Sequence, residues 1–164
     1  MKIGILADTH DNIHAIKTAV SFFNTQDVQY IIHAGDYVAP FSLKEMMNVT
    51  AKFIGVFGNN DGERTGLRAV CKSLHEPPYD LILDGKHIVV THMLESLSRR
   101  SKMNTDFIVY AHTHIPEIRP GLPMYINPGE CGGWLNGKNT VAILDLKTFQ
   151  ADIIDLSTVS LDNG

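Results

Sequence analysis

Apolar residues recur along this chain in short blocks that stop abruptly at polar, ligand-type residues. The first block, Ile3–Ala7, ends at Asp8-Thr9-His10. An apolar run of that length between polar flanks fits a buried parallel strand. Asp11 or Asn12 then caps a helix through Asn24, with Ile13, Ile16, Ala19, Val20 and Phe23 as its apolar stripe. Val28–His33 predicts the second strand and runs into Ala34-Gly35-Asp36. Pro40 opens a second helix with Phe41, Leu43, Met46 and Met47 on its buried side. Lys52–Phe57 predicts the third strand, followed by Gly58-Asn59-Asn60-Asp61-Gly62 and a third helix to about Leu74. This β-α-β-α-β-α order implies a parallel sheet with right-handed crossovers.

The pattern then changes. Leu81–Leu83 and Ile88–Thr91, joined by Asp84-Gly85, predict a hairpin with a type I′ turn, ending at His92. Leu94–Met103 is a predicted helix, and Phe107–Ala111 a short strand ending at His112-Thr113-His114. Met124–Asn127 is a strand before the Gly-rich loop Pro128–Gly133. Val141–Leu146 and Ala151–Leu156 form a last hairpin around Lys147-Thr148. The second half is therefore expected to be a mostly antiparallel sheet. The whole reads as an α/β fold in which two sheets pack face to face with helices outside. Residues 1–156 form one domain in this reading, and 157–164 a flexible tail.

Composition narrows the function. A hydrophobic share of 44% is ordinary for a chain of 164 residues that buries a core. Fourteen basic against eighteen acidic residues leave a net charge of −4. That argues against a broad nucleic-acid surface. Cys71 and Cys131 stand far apart without a C-x-x-C, so a reducing, cytoplasmic setting fits. No apolar run is long enough to span a membrane, and neither a dinucleotide-binding nor a P-loop glycine pattern occurs.

Four of the eight histidines follow apolar runs: His10, His92, His112 and His114. With Asp8, Asp36 and Asn59 they place seven ligand-type side chains at five strand ends. In extended chain, Asp8 and His10 would point to the same side. Ligands in open α/β sheets sit beyond the carboxyl ends of the strands. Seven ligands are too many for one ion but suit two ions sharing a carboxylate, and Asp36, which stands alone, is the obvious bridge. Carboxylate, imidazole and amide oxygen without thiolate select Mn²⁺, Fe or Zn²⁺ over Ca²⁺ or Mg²⁺. Two divalent ions and two carboxylates leave a net cation, which favours an anionic phosphate ester. The expected chemistry is attack on phosphorus by a hydroxide bridging the ions, with Asn60 stabilising the equatorial oxygens.

Asp8-x-His10, Gly35-Asp36, Gly58-Asn59-Asn60-Asp61, Thr91-His92 and Ala111-His112-Thr113-His114 together resemble the calcineurin-like metallophosphoesterases. The likeness is greatest to the small prokaryotic phosphodiesterases of that family, which also carry a late loop like Asn127–Cys131. The resemblance implies a four-layer αββα sandwich. It implies one ion on Asp8, His10, Asp36 and His114, and another on Asp36, Asn59, His92 and His112. Mn²⁺ is the first expectation, with Fe, Ni²⁺ or Zn²⁺ as further fits, and a small phosphate ester as substrate. Dimers or tetramers would be no surprise.

Two departures stand out. Many members have a histidine where this chain has Asn60, and others have T-H-G-H where it has Thr91-His92-Met93-Leu94. Both usual protonating histidines are thus absent, which predicts a bias toward good leaving groups. Ala111 replaces a common Gly, with a small expected effect on the loop. The competing class is a protein-binding scaffold, since the retromer scaffold subunit of eukaryotes resembles this family with part of the ligand set lost. Here all seven positions are intact. Of the remaining residues, His33 reads as structural beside the site, His75 and His87 as surface, and Cys131 as packing. Arg64 and Arg68 lie just beyond the Asn60 loop, within reach of a phosphate, with helix surface as the default reading. Glu130 is either a support for the ligands or a plain loop residue, and Trp134 either a loop anchor or an exposed contact.

Overall fold

The computed structural model describes residues 1–159. The first sheet holds six strands in the order β11-β10-β1-β2-β3-β4. Its parallel centre is β1 (Lys2–Leu6), β2 (Tyr30–His33) and β3 (Lys52–Val56), with β4 (Leu74–His75) at one edge. The hairpin of β10 (Thr140–Asp145) and β11 (Gln150–Asp155) completes it, β10 running antiparallel to β1. The second sheet is β5-β6-β7-β9-β8. Its members are β5 (Tyr79–Leu83), β6 (Lys86–Val90), β7 (Phe107–Val109), β8 (Glu117–Arg119) and β9 (Met124–Asn127). Helices α1 (Ile13–Thr25), α2 (Pro40–Met46) and α3 (Arg64–Val70) cover the outer face of the first sheet.

Strand alternation divides the apolar residues between two cores. Ile3, Ile5, Ile32 and Val56 point inward and meet Ile88, Val90, Phe107, Val109 and Ile126 of the second sheet. Leu6 and Ile31 point outward onto Ile16, Ala19 and Phe23 of α1 and Leu43 of α2. This is the sandwich of two mixed sheets that the sequence predicts. Local signals act as expected: Asn12 Oδ1 accepts from Ala15 N at 3.2 Å at the start of α1, and Pro40 opens α2. Asp84 and Gly85 both have φ above zero, as a type I′ turn requires.

The second sheet is not mostly antiparallel. β6, β7 and β9 run parallel, and only the outer strands β5 and β8 oppose them. The connections before β7 and β9 are long enough to cross over, which parallel pairing needs. The last hairpin joins the first sheet. Leu94–Met103 is not one helix but two 3₁₀ turns, Leu94–Ser96 and Arg100–Lys102, packed outside the second sheet through Leu97. Serines there satisfy the backbone locally: Ser96 Oγ donates to Met93 O at 2.6 Å, and Ser98 Oγ accepts from Ser101 N. The fourth layer is correspondingly thin. α3 stops at Val70 because Ser73 and His75 offer carbonyls to Gly55 and Phe57 of the third strand region. Phe41 is exposed rather than buried. Leu156–Thr158 form a 3₁₀ turn capped by Asp155, and residues 160–164 of the expected tail lie outside the described residues.

Candidate metal centre

Six loops leave the carboxyl ends of β1, β2, β3, β6, β7 and β9, and five of them carry the seven candidate ligands. Parallel pairing within each sheet puts those ends on one edge. Asp36 lies at the centre. Its Oδ2 stands 3.6 Å from His10 Nε2 and 3.4 Å from His92 Nε2. On one side, Asp8 Oδ1 is 3.9 Å from His10 Nε2 and 3.8 Å from His114 Nε2, and the rings of His10 and His114 stack 5.1 Å apart. On the other, His92 Nε2 is 3.0 Å from Asn59 Oδ1, and the His112 ring lies 5.2 Å from that of His92. All seven residues are therefore brought together.

The backbone reaches this arrangement by turning, not by extension. Asp8, His10, Asp36, His112 and His114 all have φ between 40° and 73°, where few non-glycine residues sit. The shared direction of Asp8 and His10 thus comes from a left-handed turn, which corrects the extended-chain expectation. Ala111 is not among the positive-φ residues, so its methyl group meets no backbone penalty there. Two glycines let the loops touch. A Cβ on Gly35 (φ 105°) would meet Gly58 N at 2.7 Å and His92 Nδ1 at 2.8 Å. One on Gly58 would meet the Asp36 carboxylate.

Buried supports hold the loops. Asp61, the last residue of the Gly58-Asn59-Asn60-Asp61 motif, organises the loops around it. Its carboxylate accepts from Asp36 N (3.0 Å), Val38 N (2.8 Å) and Gly58 N (2.7 Å). Nothing in G-N-N-D-G marks that reach, because Asp36 and Val38 are distant in sequence. His33 is buried and structural as expected: Gly35 N donates to its Nδ1 at 3.2 Å, and burial pushes its pKa down to about 3. Asn127 Nδ2 donates to Thr113 Oγ1 at 3.0 Å between the two loop histidines. Glu130 is a support: buried, it accepts from Trp134 N (2.9 Å) and Leu135 N (3.0 Å) and approaches His114 Nδ1 at 3.2 Å. Trp134 is both anchor and exposed contact, its Nε1 donating to His10 O at 3.1 Å while most of the indole faces solvent. Cys131 is buried packing, its thiol pushed up to about 12 by burial.

The electrostatics fit cations. His92 Nδ1 lies 2.9 Å from Ala34 O and must donate to it, which turns Nε2 toward two oxygens. That point needs a proton or a metal ion. Burial opposes the imidazolium, but the Asp36 hydrogen bond and charge outweigh it and raise the pKa. Burial likewise works against ionised Asp36, yet contacts from His92 and Asn60 hold its pKa well below the usual carboxylate range. Asp8 differs: burial drives its pKa up to about 7 despite His92 and His114. Asp8 Oδ1, His10 Nε2 and His114 Nδ1 are buried and have no hydrogen-bond partner among the described residues, His114 Nδ1 having only the charge contact with Glu130. Such orphaned atoms are costly unless an ion takes them. The spacing of Asp8 Oδ1 and His10 Nε2 is too long for a hydrogen bond but suits ligands about 2.1 Å from a common ion. Asp8, His10 and His114 form one group able to hold a metal, and Asp8, Asp36 and His92 another.

Comparison with known proteins gives one consistent picture. Residues 1–149 match the family described as the calcineurin-like phosphoesterase superfamily domain. The chain is 39% identical over 158 residues to phosphodiesterase MJ0936 of Methanocaldococcus jannaschii, covering 88% of this chain and 93% of that protein. It is 25% identical over 145 residues to phosphodiesterase YfcE of Escherichia coli K12, covering 79% of this chain and 78% of that one. The solved structure of an archaeal phosphodiesterase aligns with a TM-score of 0.85 at 34% identity, covering 94% of this chain and 99% of its own.

Proposed function

The chain belongs to the calcineurin-like phosphoesterase superfamily, and from that premise we propose that it is a phosphodiesterase with two divalent ions in one site. It is a metal-dependent hydrolase of phosphate ester bonds. Asp8, His10, Asp36 and His114 would hold the first ion, and Asp36, Asn59, His92 and His112 the second. The observation that carries this reading is the position of Asp36 Oδ2, within 3.6 Å of a histidine nitrogen on either side. Ions bound there would supply an activated, bridging water at neutral pH and positive charge to balance the phosphate. Without thiolate, the ligand set suits Mn²⁺, Fe, Ni²⁺ or Zn²⁺, and Mn²⁺ is taken first on the family resemblance.

The protein's own groups orient this chemistry. Asn60 donates to Asp36 twice, from its backbone N at 2.9 Å and from Nδ2 at 2.7 Å. With Asp36 Oδ2 engaged by an ion, Asn60 Nδ2 would be free to donate to a phosphoryl oxygen. The same reading takes residues 1–156 as one cytoplasmic domain acting on a small phosphate ester. Among the described residues no helix is long and apolar enough to cross a membrane.

The test strips the protein with chelator and assays an aryl phosphodiester and an aryl phosphomonoester with each divalent metal. Asp36→Ala should abolish metal-dependent diesterase activity and lower the bound metal below two ions per chain. Asn60→Ala should lower kcat more than it changes KM. Failure to bind any metal would sink the dinuclear reading and leave a binding scaffold on the same fold.

A further inference from the structure

We propose that the cavity beside Asn59 and His92 is a subsite for one ester group of the substrate, and that Arg64 there selects an ester group carrying a second anion. This rests on the phosphodiesterase reading above. The cavity measures about 260 Å³, and Asn59 and His92 form part of its wall. It is therefore contiguous with the candidate second ion position. Phe57, Pro77 and Met93 give it apolar surface, enough to receive an organic group rather than bare phosphate. Its hydroxyls are committed elsewhere: Thr91 Oγ1 and Ser96 Oγ lie 3.0 Å apart, and both donate to Met93 O. Arg64 is the cationic donor in the wall, beside the neutral amide of Asn59.

Arg64 is held ready for an anion. Its Nε donates to Asp61 O at 3.1 Å, and its guanidinium lies 4.9 Å over the Phe57 ring. Its Nη1 pairs with Glu76 at 2.7 Å. Arg68 pairs with the same carboxylate at 2.8 Å and covers the same ring at 4.7 Å. Two guanidinium groups thus share the single Glu76 carboxylate. Stacking on Phe57 fixes the guanidinium before any ligand arrives, and Nη2, the nitrogen outside the Asp61 and Glu76 contacts, would donate to a carboxylate or phosphate. A chain whose catalytic machinery lacks both usual histidines places instead a fixed cation next to the ester group.

A symmetric pair of substrates tests this without assigning which ester group departs. Bis(4-nitrophenyl) phosphate is compared with bis(3-carboxy-4-nitrophenyl) phosphate on the full-length, Mn²⁺-loaded protein. The ratio of kcat/KM, carboxylated over plain, should fall about tenfold in Arg64→Gln and recover in Arg64→Lys. A ratio that Arg64→Gln leaves unmoved overturns the proposal. In parallel, calorimetry measures 5-hydroxy-2-nitrobenzoate and 4-nitrophenol binding to the full-length protein with and without Mn²⁺. Binding of the carboxylate that is weakened in Arg64→Gln supports the subsite, even if no ester is hydrolysed and the phosphodiesterase reading fails. Equal binding of both phenols, or none of either, overturns it.

Discussion

Asp8 is a buried carboxylate with one oxygen on the His112 backbone at 3.3 Å and the other on nothing among the described residues. In the metal-free protein its pKa stands at about 7, above the 3.8 of the unfolded chain. A raised carboxylate pKa favours the folded state fully below pH 3.8, and that contribution is lost as pH rises to about 7. The change amounts to about 4 kcal/mol at most. His33 runs the other way, its contribution present above 6.5 and lost as pH falls toward 3. The two offset in the wild type, so the variant is the cleaner probe. In chelator, Asp8→Asn should raise the urea midpoint at pH 8, with the gain gone by pH 4; an Asn variant no more stable than wild type at pH 8 would contradict the burial argument. At the same scale, Asn60 and the Met93-Leu94 pair stand where the two usual protonating histidines would be. Aryl diesters should therefore be cleaved faster than alkyl diesters by about 100-fold or more, and comparable rates on the two would refute this.

Among the elements, the loop after β9 carries more than its sequence suggests. Glu130 fixes Trp134 and Leu135 through their backbone N–H groups, Trp134 is tied to His10 O, and Asn136 to His114 O at 3.1 Å. The loop thus braces His10 and His114, both candidate ligands of the first proposed ion. Glu130→Gln should weaken metal binding by about 10–100-fold, as losing a carboxylate behind a ligating imidazole does. Trp134 is the chain's single tryptophan, so its emission reports the titration directly. Unchanged affinity would reduce Glu130 to a loop residue. Most of the elements were legible. β1, β2, β3 and α1 follow from runs and stripes whose period is local. The Leu94–Met103 segment misled because its apolar spacing was helical while its serines bonded the nearby backbone. β4 and β8 are short edge strands with no period to read.

For the whole molecule, the two sheets each contribute to one edge. Asp8, His10, Asp36 and Asn59 come from the first, and His92, His112 and His114 from the second. Ions bound there would tie the sheets together across the apolar core. Saturating Mn²⁺ at about 100 times its dissociation constant should stabilise the fold by about 2.7 kcal/mol. That corresponds to a rise in Tm of roughly 5–10 °C over the chelated protein, measured by thermal unfolding. A shift absent in wild type would mean that the histidine edge holds no ion. A shift present in wild type and lost in Asp36→Ala would place the gain at this centre.

The sequence by itself determined which residues can act. Ligand-type side chains placed after apolar runs are a local pattern, and local patterns survive without a structure: strand, turn, and the chemistry of Asp, Asn and His. It also determined what is missing, since Asn60 and Met93-Leu94 are identities rather than positions. Only the tertiary structure decided how those residues meet. The parallel run of β6, β7 and β9, the left-handed turns at five candidate ligands, and the Asp61 carboxylate spanning the β2 and β3 loops all depend on long-range contacts. So does the meeting of Arg64 with His92: Arg64 lies just beyond the Asn59-Asn60 loop of the first sheet, and His92 comes from the second. Pairing energies of this kind are set by partners far along the chain, and no window of sequence contains them.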